Sequence, residues 1–137
     1  MKISGNSFCP CGSQKKYKKC CRMFHFGETP STALELMKSR YSAYVANNPE
    51  YIINTTHKEN SDYTTNIQEW KNSINSFSKY SDFKKLEIID FIDGQEVAYV
   101  TFKATIFQGA IDSSFIEKSK FIKEENRWLY HSGEFIQ

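Results

Sequence analysis

The residue types best suited to chemistry are cysteines, and all four lie in the thirteen-residue stretch CPCGSQKKYKKCC. Their spacing is C-x-C-x8-C-C, and they are Cys9, Cys11, Cys20 and Cys21. Zn²⁺ in structural sites takes four such thiolates in a tetrahedron. Pro10 and Gly12 permit the sharp turn that brings the first two sulfurs to one ion. The spacing therefore predicts one closed zinc site, with no position left for a catalytic water.

The cysteines also admit other interpretations, which are two disulfides, four idle thiols, or a zinc site in which His25 is the fourth ligand. Because Cys20 and Cys21 are adjacent, local disulfide pairing between the cysteines is awkward. The N-terminus MKISGNSFCPCG has no apolar core of a signal peptide, so we expect a cytoplasmic protein, and disulfides are rare there. The intervening SQKKYKK is predicted to form a short helix that presents the last two cysteines.

The charge is concentrated at the N-terminus. Residues 1–27, called the head, hold six basic and no acidic residues, a formal +6, and the other residues sum to −4. This asymmetry predicts that the head docks on an acidic protein or a ribonucleoprotein, whereas the simplest alternative is a solvated basic face. Direct nucleic-acid binding has weaker support, since Tyr17 is the one aromatic side chain between the lysines. The predicted partner surface is Lys15, Lys16, Tyr17, Lys18, Lys19 and Arg22.

The cysteine stretch resembles the SEC-C motif, a short zinc module at the C-terminus of the SecA translocase ATPase and in other bacterial proteins. The Cys-Pro-Cys-Gly-Ser opening, Tyr17 and the paired final ligands fit that motif. SecA usually has His at the last ligand position, where this chain has Cys21. The resemblance implies a structural Zn²⁺ ion and a contact surface for ribosome or chaperone partners, without catalysis.

The rest of the chain, called the body, reads as helices followed by strands. Thr32 with Glu35 forms a capping box that begins a helix over about 32–47, and Pro49 begins a short second helix. A second capping box, Thr65 with Gln68, is predicted to begin a third helix whose apolar stripe includes Trp70. Four strands follow at about 83–92, 96–108, 114–123 and 127–134, with a hairpin turn at Asp93-Gly94. Short turns favour an antiparallel meander and an α+β fold.

The body is similar to the YchJ-like, SEC-C-containing bacterial proteins. The resemblance is carried by LMKSRYSAYV (36–45), a Tyr51-x5-His57 element, EKSKF (117–121) and RWLYHSGE (127–134). It implies a nuclear transport factor 2-like, or cystatin-like, cone of three helices packed on a strongly curved four-strand sheet around a cavity. It also implies two domains, the zinc-binding motif at 1–27 and the cone at 28–137. Cone folds of this kind often dimerise through the sheet, so a homodimer is a further expectation.

A possible pocket inside the cone is predicted from residue periodicity. On the third strand, Glu117 shares the inward face with Phe115 and Phe121, and a buried carboxylate needs a partner. Arg40 borders the apolar stripe of the first long helix, so we expect an Arg40–Glu117 contact. The candidate pocket residues are Arg40, Tyr44, His57, Trp70, Glu117 and Trp128. They could anchor a small ligand or form an acid–base centre, and the structural alternative is a buried ion pair that fixes helix to sheet.

Recognisable catalytic motifs are missing from the sequence, which has no phosphate loop, nucleophile elbow or metalloprotease spacing. The sequence therefore favours a zinc-containing interaction module over an enzyme and predicts no catalytic residue. The alternative is a small-ligand-binding protein or enzyme that uses the cone pocket. No window has the run of about 20 apolar residues that a membrane span requires.

Overall fold

The computed structural model describes residues 3–137, and over that range the fold is α+β. The predicted order of helices before strands is confirmed. A single 3₁₀ turn, Tyr17–Lys19, precedes the helices, which are α1 (Cys21–His25), α2 (Ala33–Val45), α3 (Pro49–Asn54) and α4 (Ile67–Tyr80). The strands are β1 (Asp82–Ile92), β2 (Val97–Gln108), β3 (Ile111–Asp112), β4 (Phe115–Glu124) and β5 (Arg127–Ile136).

Two helix starts test the capping predictions. The box at α2 is confirmed, because the Thr32 side chain accepts from the Glu35 N–H and the Glu35 carboxylate reaches back to the Thr32 N–H. The box predicted from Thr65 and Gln68 is wrong. The cap of α4 is Asn66, whose side chain accepts from the Glu69 N–H at 3.2 Å. Asn is as good a cap as Thr, so the helix begins one residue later.

The sheet is antiparallel with the order β1-β2-β4-β5, and the two-residue β3 pairs with the end of β2. The predicted inward face of β4 is confirmed by the cavity, which is lined by Phe115, Glu117, Ser119 and Phe121. The opposite face points outward, where the Lys118 ammonium lies 5.0 Å from the centre of the Tyr99 ring. Helix α2 packs on the inward face and α4 packs on α2, and residues of both helices and of the sheet line the cavity.

The head packs directly on the body. Cys9, Cys11, Tyr17 and Cys21 belong to the same buried cluster as Leu36, Met37, Tyr41 and Leu86. The Cys9 Sγ lies 3.5 Å from the Ser42 Oγ on α2, and the His25 Nε2 lies 2.8 Å from the Ser39 carbonyl oxygen. Helix α2 therefore contacts both the head and the cone. In the range 3–137, none of the helices has the length and apolar character needed to cross a bilayer.

Candidate metal centre and cone cavity

The four cysteines of the head converge on one point. The Sγ atoms of Cys9, Cys11, Cys20 and Cys21 all lie within 4.8 Å of one another, and those of Cys11 and Cys20 are 3.6 Å apart. A Zn–S bond of about 2.3 Å in a tetrahedron separates sulfurs by roughly 3.8 Å, so this spacing fits a tetrathiolate site. Gly12, at φ +83°, supplies the left-handed residue of the turn that joins the first two ligands.

The electrostatics of the cluster also favour a bound cation. Hydrogen bonds from the thiols of Cys11 and Cys21 lower the pKa of Cys9. Hydrogen bonds with Cys11 and Cys9, together with burial, raise the pKa of Cys21. The thiols of Cys9, Cys11 and Cys21 on their own therefore resist ionising together, and a divalent cation would allow these three to be thiolates at once. The Ser13 hydroxyl lies 3.1 Å from the Cys20 Sγ and can donate a hydrogen bond to a thiolate there.

His25 is not placed as a ligand, because both of its ring nitrogens are engaged elsewhere. Its Nε2 donates to the Ser39 carbonyl at 2.8 Å, and its Nδ1 accepts from the Tyr17 hydroxyl at 2.6 Å. Burial lowers the pKa of His25, which agrees with a neutral ring in this position. His25 therefore ties the head to α2. The predicted short helix in SQKKYKK is present as a single 3₁₀ turn, Tyr17–Lys19, which ends just before Cys20, and α1 begins at Cys21.

The predicted partner surface is exposed in part. Lys15, Lys16, Lys18 and Lys19 are exposed, while Arg22 is half-buried with its guanidinium 4.7 Å from the centre of the Phe26 ring. The prediction for Tyr17 is wrong, because this residue is only 7% exposed and its ring belongs to the core. Two aromatic side chains that the sequence interpretation missed, Phe8 and Phe26, are 73% and 77% exposed on the head. Phe8 immediately precedes Cys9 and Phe26 follows Cys21 by five residues, and this position at the ends of the cysteine stretch was the available signal.

A cavity of about 650 Å³ that opens to solvent lies between α2, α4 and the sheet. Of the predicted pocket residues, Arg40, Tyr44, Trp70 and Glu117 line it. The sequence interpretation missed other lining residues, including Tyr41, Phe77, Phe102 and Tyr130. Period two along the last strand was the signal that could have found Tyr130, which pairs with Phe121.

The predicted Arg40–Glu117 contact is wrong, because Tyr130 lies between the two residues. The Arg40 guanidinium sits 4.6 Å from the centre of the Tyr130 ring. The Tyr130 hydroxyl donates to the Glu117 Oε2 at 2.9 Å, and the Ser119 hydroxyl donates to the same oxygen at 2.5 Å. Burial, and then the Glu117 carboxylate, raise the pKa of Tyr130, which stays a neutral donor. The aromatic ring thus links a cation to a carboxylate without an ion pair.

His57 and Trp128 do not line the cavity. Trp128 is buried in the core, where its ring packs under Lys123 at 5.7 Å. His57 is 2% exposed, and its Nε2 donates to the Glu124 Oε2 at 2.7 Å while its Nδ1 accepts from the Glu59 N–H at 3.0 Å. Both ring nitrogens are therefore committed, although ligand atoms of His57, Glu59 and His131 lie within 4.8 Å of one another. We interpret His57 as a structural tie.

Comparison with protein families gives matches over nearly the whole chain. Residues 32–133 match the family described as YchJ, middle NTF2-like domain, and residues 6–22 match the SEC-C motif. A UPF0225 protein of Serratia proteamaculans is 34% identical over 130 residues, covering 91% of this chain and 81% of the relative. A UPF0225 protein of Streptomyces coelicolor is 32% identical over 132 residues, covering 93% of this chain and 95% of the relative.

Two solved structures are similar over the head and the body together. The solution structure of a SEC-C motif containing protein from Rhodopseudomonas palustris superposes with a TM-score of 0.82 at 28% identity. The match covers 96% of this chain and 100% of that one. The crystal structure of a SEC-C motif containing protein from Psychrobacter arcticus gives a TM-score of 0.79 at 25% identity, covering 97% of this chain and 85% of that one.

Proposed function

The chain belongs to the family of the YchJ middle NTF2-like domain with a SEC-C motif ahead of it, and on that premise we propose that it is a zinc-dependent interaction module. In this proposal Cys9, Cys11, Cys20 and Cys21 hold a structural Zn²⁺ ion, and the basic face of the head docks on an acidic surface of a ribosome-type or chaperone-type partner. Zinc would supply the folding energy that so small a head cannot obtain from an apolar core.

The observation that carries the proposal is which residues of the head are buried and which are exposed. Cys9, Cys11, Cys21 and Tyr17 are buried and Cys20 is half-buried, whereas the exposed residues of the head include four lysines and the rings of Phe8 and Phe26. Lysines attract an anionic partner at long range, and aromatic side chains supply contact area once the partner is bound. A cytoplasmic location belongs to the proposal, because thiols stay reduced there and all four cysteines are free in the structure.

Co-sedimentation with purified ribosomes tests the docking function. We expect zinc-loaded protein to sediment with ribosomes in low salt and to be released as salt rises, because the contact is electrostatic. The variant Lys15→Glu with Lys16→Glu should lose binding. The matched control is Lys84→Glu with Lys85→Glu, which reverses two exposed lysines of β1. Equal sedimentation of the two double variants would contradict a role for the basic head.

A second function, small-ligand binding, is favoured by the open cavity. Pockets of about 300–1,000 Å³ with apolar walls and a few polar groups are typical ligand sites, and 650 Å³ lies within that range. The variant Ala104→Phe would fill the cavity from its β2 wall, since Ala104 lines it and is buried. We expect this variant to bind the neutral dye Nile red more weakly than the wild type or the outward-facing control Thr101→Phe. Unchanged dye binding would contradict the function.

A homodimer through the sheet is the remaining proposal on assembly. Ile92 and Val97 are 48% and 41% exposed near the β1–β2 hairpin and supply apolar area outside the core. Sedimentation velocity of the wild type and of Ile92→Lys measures whether this face associates. A dimer that the substitution dissolves would support the proposal, and a monomer at all concentrations would exclude it.

A further inference from the structure

We propose that the cone cavity binds a small carboxylate with an aromatic or aliphatic body, held at its charged end by Arg40 and Tyr44. This inference rests on the small-ligand function proposed above and names the chemistry of the ligand. It starts from two polar groups that line the cavity and that the fold does not fully use.

The first group is a buried cation without a counter-ion. Arg40 is 8% exposed, and its hydrogen bonds all come from Nη1, which donates to the Ile52 carbonyl and to the hydroxyls of Thr55 and Thr56. These acceptors are neutral, and in the range 3–137 no carboxylate oxygen approaches the guanidinium within 4.0 Å. A guanidinium offers two parallel donors to a carboxylate, and the Nη2 and Nε donors of Arg40 make no hydrogen bond to any described residue.

The second group is the Tyr44 hydroxyl, one helical turn along α2. The Tyr44 ring packs edge-on against Phe77 at 5.5 Å, but in the described part of the chain its hydroxyl has no hydrogen-bond partner. Arg40 and Tyr44 both line the cavity, and burial raises the pKa of Tyr44, which the Arg40 charge lowers and the Asp62 and Glu117 charges raise further. Tyr44 is therefore a neutral donor beside a cation, and the two groups suit one anionic head group.

The other side chains that line the cavity explain why the rest of the ligand would be apolar and why the ligand would carry one charge. The walls include the rings of Trp70, Phe102, Phe115 and Phe121. The acidic lining residues are Glu117, Asp62 and Glu69. Glu117 already accepts two hydroxyl hydrogen bonds, and the other two acids are exposed at the rim, where solvent screens them. Arg40 is the basic residue among the lining side chains, so its charge selects the head group.

Calorimetric titration with three size-matched probes tests the inference. The probes are 4-phenylbutanoate, 4-phenylbutan-1-ol and 4-phenylbutylamine, which differ only in the head group. We expect the carboxylate to bind about tenfold more tightly than the alcohol, because hydrogen bonds to a charged group are stronger than neutral ones. The amine should bind most weakly, since its charge meets Arg40.

A variant locates the binding at the proposed head-group site. Tyr44→Phe removes the hydroxyl and no hydrogen bond within the described structure, so it should fold and lower carboxylate affinity about threefold or more. The control Tyr99→Phe, on the outer face of β2, should leave that affinity unchanged. Equal affinities for carboxylate and alcohol, a preference for the amine, or an unaffected Tyr44→Phe would each overturn the inference. If Ala104→Phe weakens dye binding, the small-ligand function stands even when the carboxylate inference fails. If Ala104→Phe leaves dye binding unchanged, both the function and the inference fail.

Discussion

The Tyr130 ring lies under the Arg40 guanidinium, with 4.6 Å between the guanidinium carbon and the ring centre. This contact joins α2 to β5, and the backbone of β5 is also hydrogen-bonded to the segment after α3, whose Thr55 and Thr56 hydroxyls accept from Arg40. The Tyr130 N–H donates to the Thr55 carbonyl at 2.8 Å, and the His57 N–H donates to the Tyr130 carbonyl at 2.8 Å. One side chain thus connects the cation, the carboxylate and the chain segment that follows α3.

Two substitutions of Tyr130 separate the contribution of its hydroxyl, which bonds Glu117, from that of its ring, which contacts Arg40. Tyr130→Phe keeps the ring under Arg40 but removes one of the two hydroxyl donors of Glu117, and we expect a loss of about 1–2 kcal/mol in the free energy of unfolding. Tyr130→Leu should lose about 1–2 kcal/mol more, because it also removes the cation–π contact. Urea denaturation measures both values. Equal stability of the two variants would show that the ring contributes nothing beyond its hydroxyl.

Gly133 is expected to be intolerant of any side chain. It pairs with Ser119 across the sheet, and a Cβ built on it would collide with the Glu117 carboxylate and the Tyr130 hydroxyl. Gly133→Ala should therefore cost about 1–3 kcal/mol through overpacking and should break the Glu117–Tyr130 hydrogen bond. The neighbouring substitution Glu134→Ala, at an exposed position, is the control and should change stability by less than about 0.5 kcal/mol.

Removal of the proposed Zn²⁺ ion should destabilise the body as well as the head. Structural zinc sites contribute about 10 kcal/mol or more of binding energy, and the cysteine cluster shares its buried contacts with Leu36, Met37 and Tyr41 of α2. We expect EDTA to lower the melting temperature of the wild type, and elemental analysis of untreated protein to give one zinc per chain. The Cys9→Ser, Cys11→Ser double variant should already be destabilised and insensitive to EDTA. A melting temperature that EDTA does not change would argue against a structural metal.

Alkaline pH should unfold the protein through its buried tyrosines. Burial raises the pKa of Tyr41 to about 12 and that of Tyr51 to about 12, against about 10 in an unfolded chain. At pH 10–12 the unfolded state therefore loses protons that the folded state keeps, so stability falls as pH rises through this window. Absorbance at 295 nm should show these phenols ionising only near pH 12 or on unfolding. Tyr51→Phe should reduce the slope of stability against pH there.

His57 should matter for stability through its hydrogen bonds. His57→Leu removes the donor to Glu124 and leaves the Glu59 N–H without its acceptor, and we expect a loss of about 1–3 kcal/mol. Glu124→Gln keeps an acceptor for the His57 Nε2–H on a side chain that is 46% exposed, so it should cost less than about 1 kcal/mol. Thermal denaturation measures both. Losses of equal size would indicate that the charge of Glu124, not the burial of His57, is the important feature.

Local patterns in the sequence predicted the features that depend on neighbouring residues. The spacing of the four cysteines, the Thr32–Glu35 capping box and the alternation that turns Glu117 inward all proved consistent with the structure. The Asn66 cap was missed because the adjacent Thr65, with Gln68 three residues on, also fits the capping-box pattern.

The sequence by itself determined the order of elements, the inward face of β4 and the thiol set of the head, since side-chain period and ligand spacing are local properties. Only the tertiary structure decided the contacts between distant segments. It buried Tyr17 against His25, placed Tyr130 between Arg40 and Glu117, and left the cavity open. These outcomes depend on how helices dock on a curved sheet, and docking is set by the packing of the whole core.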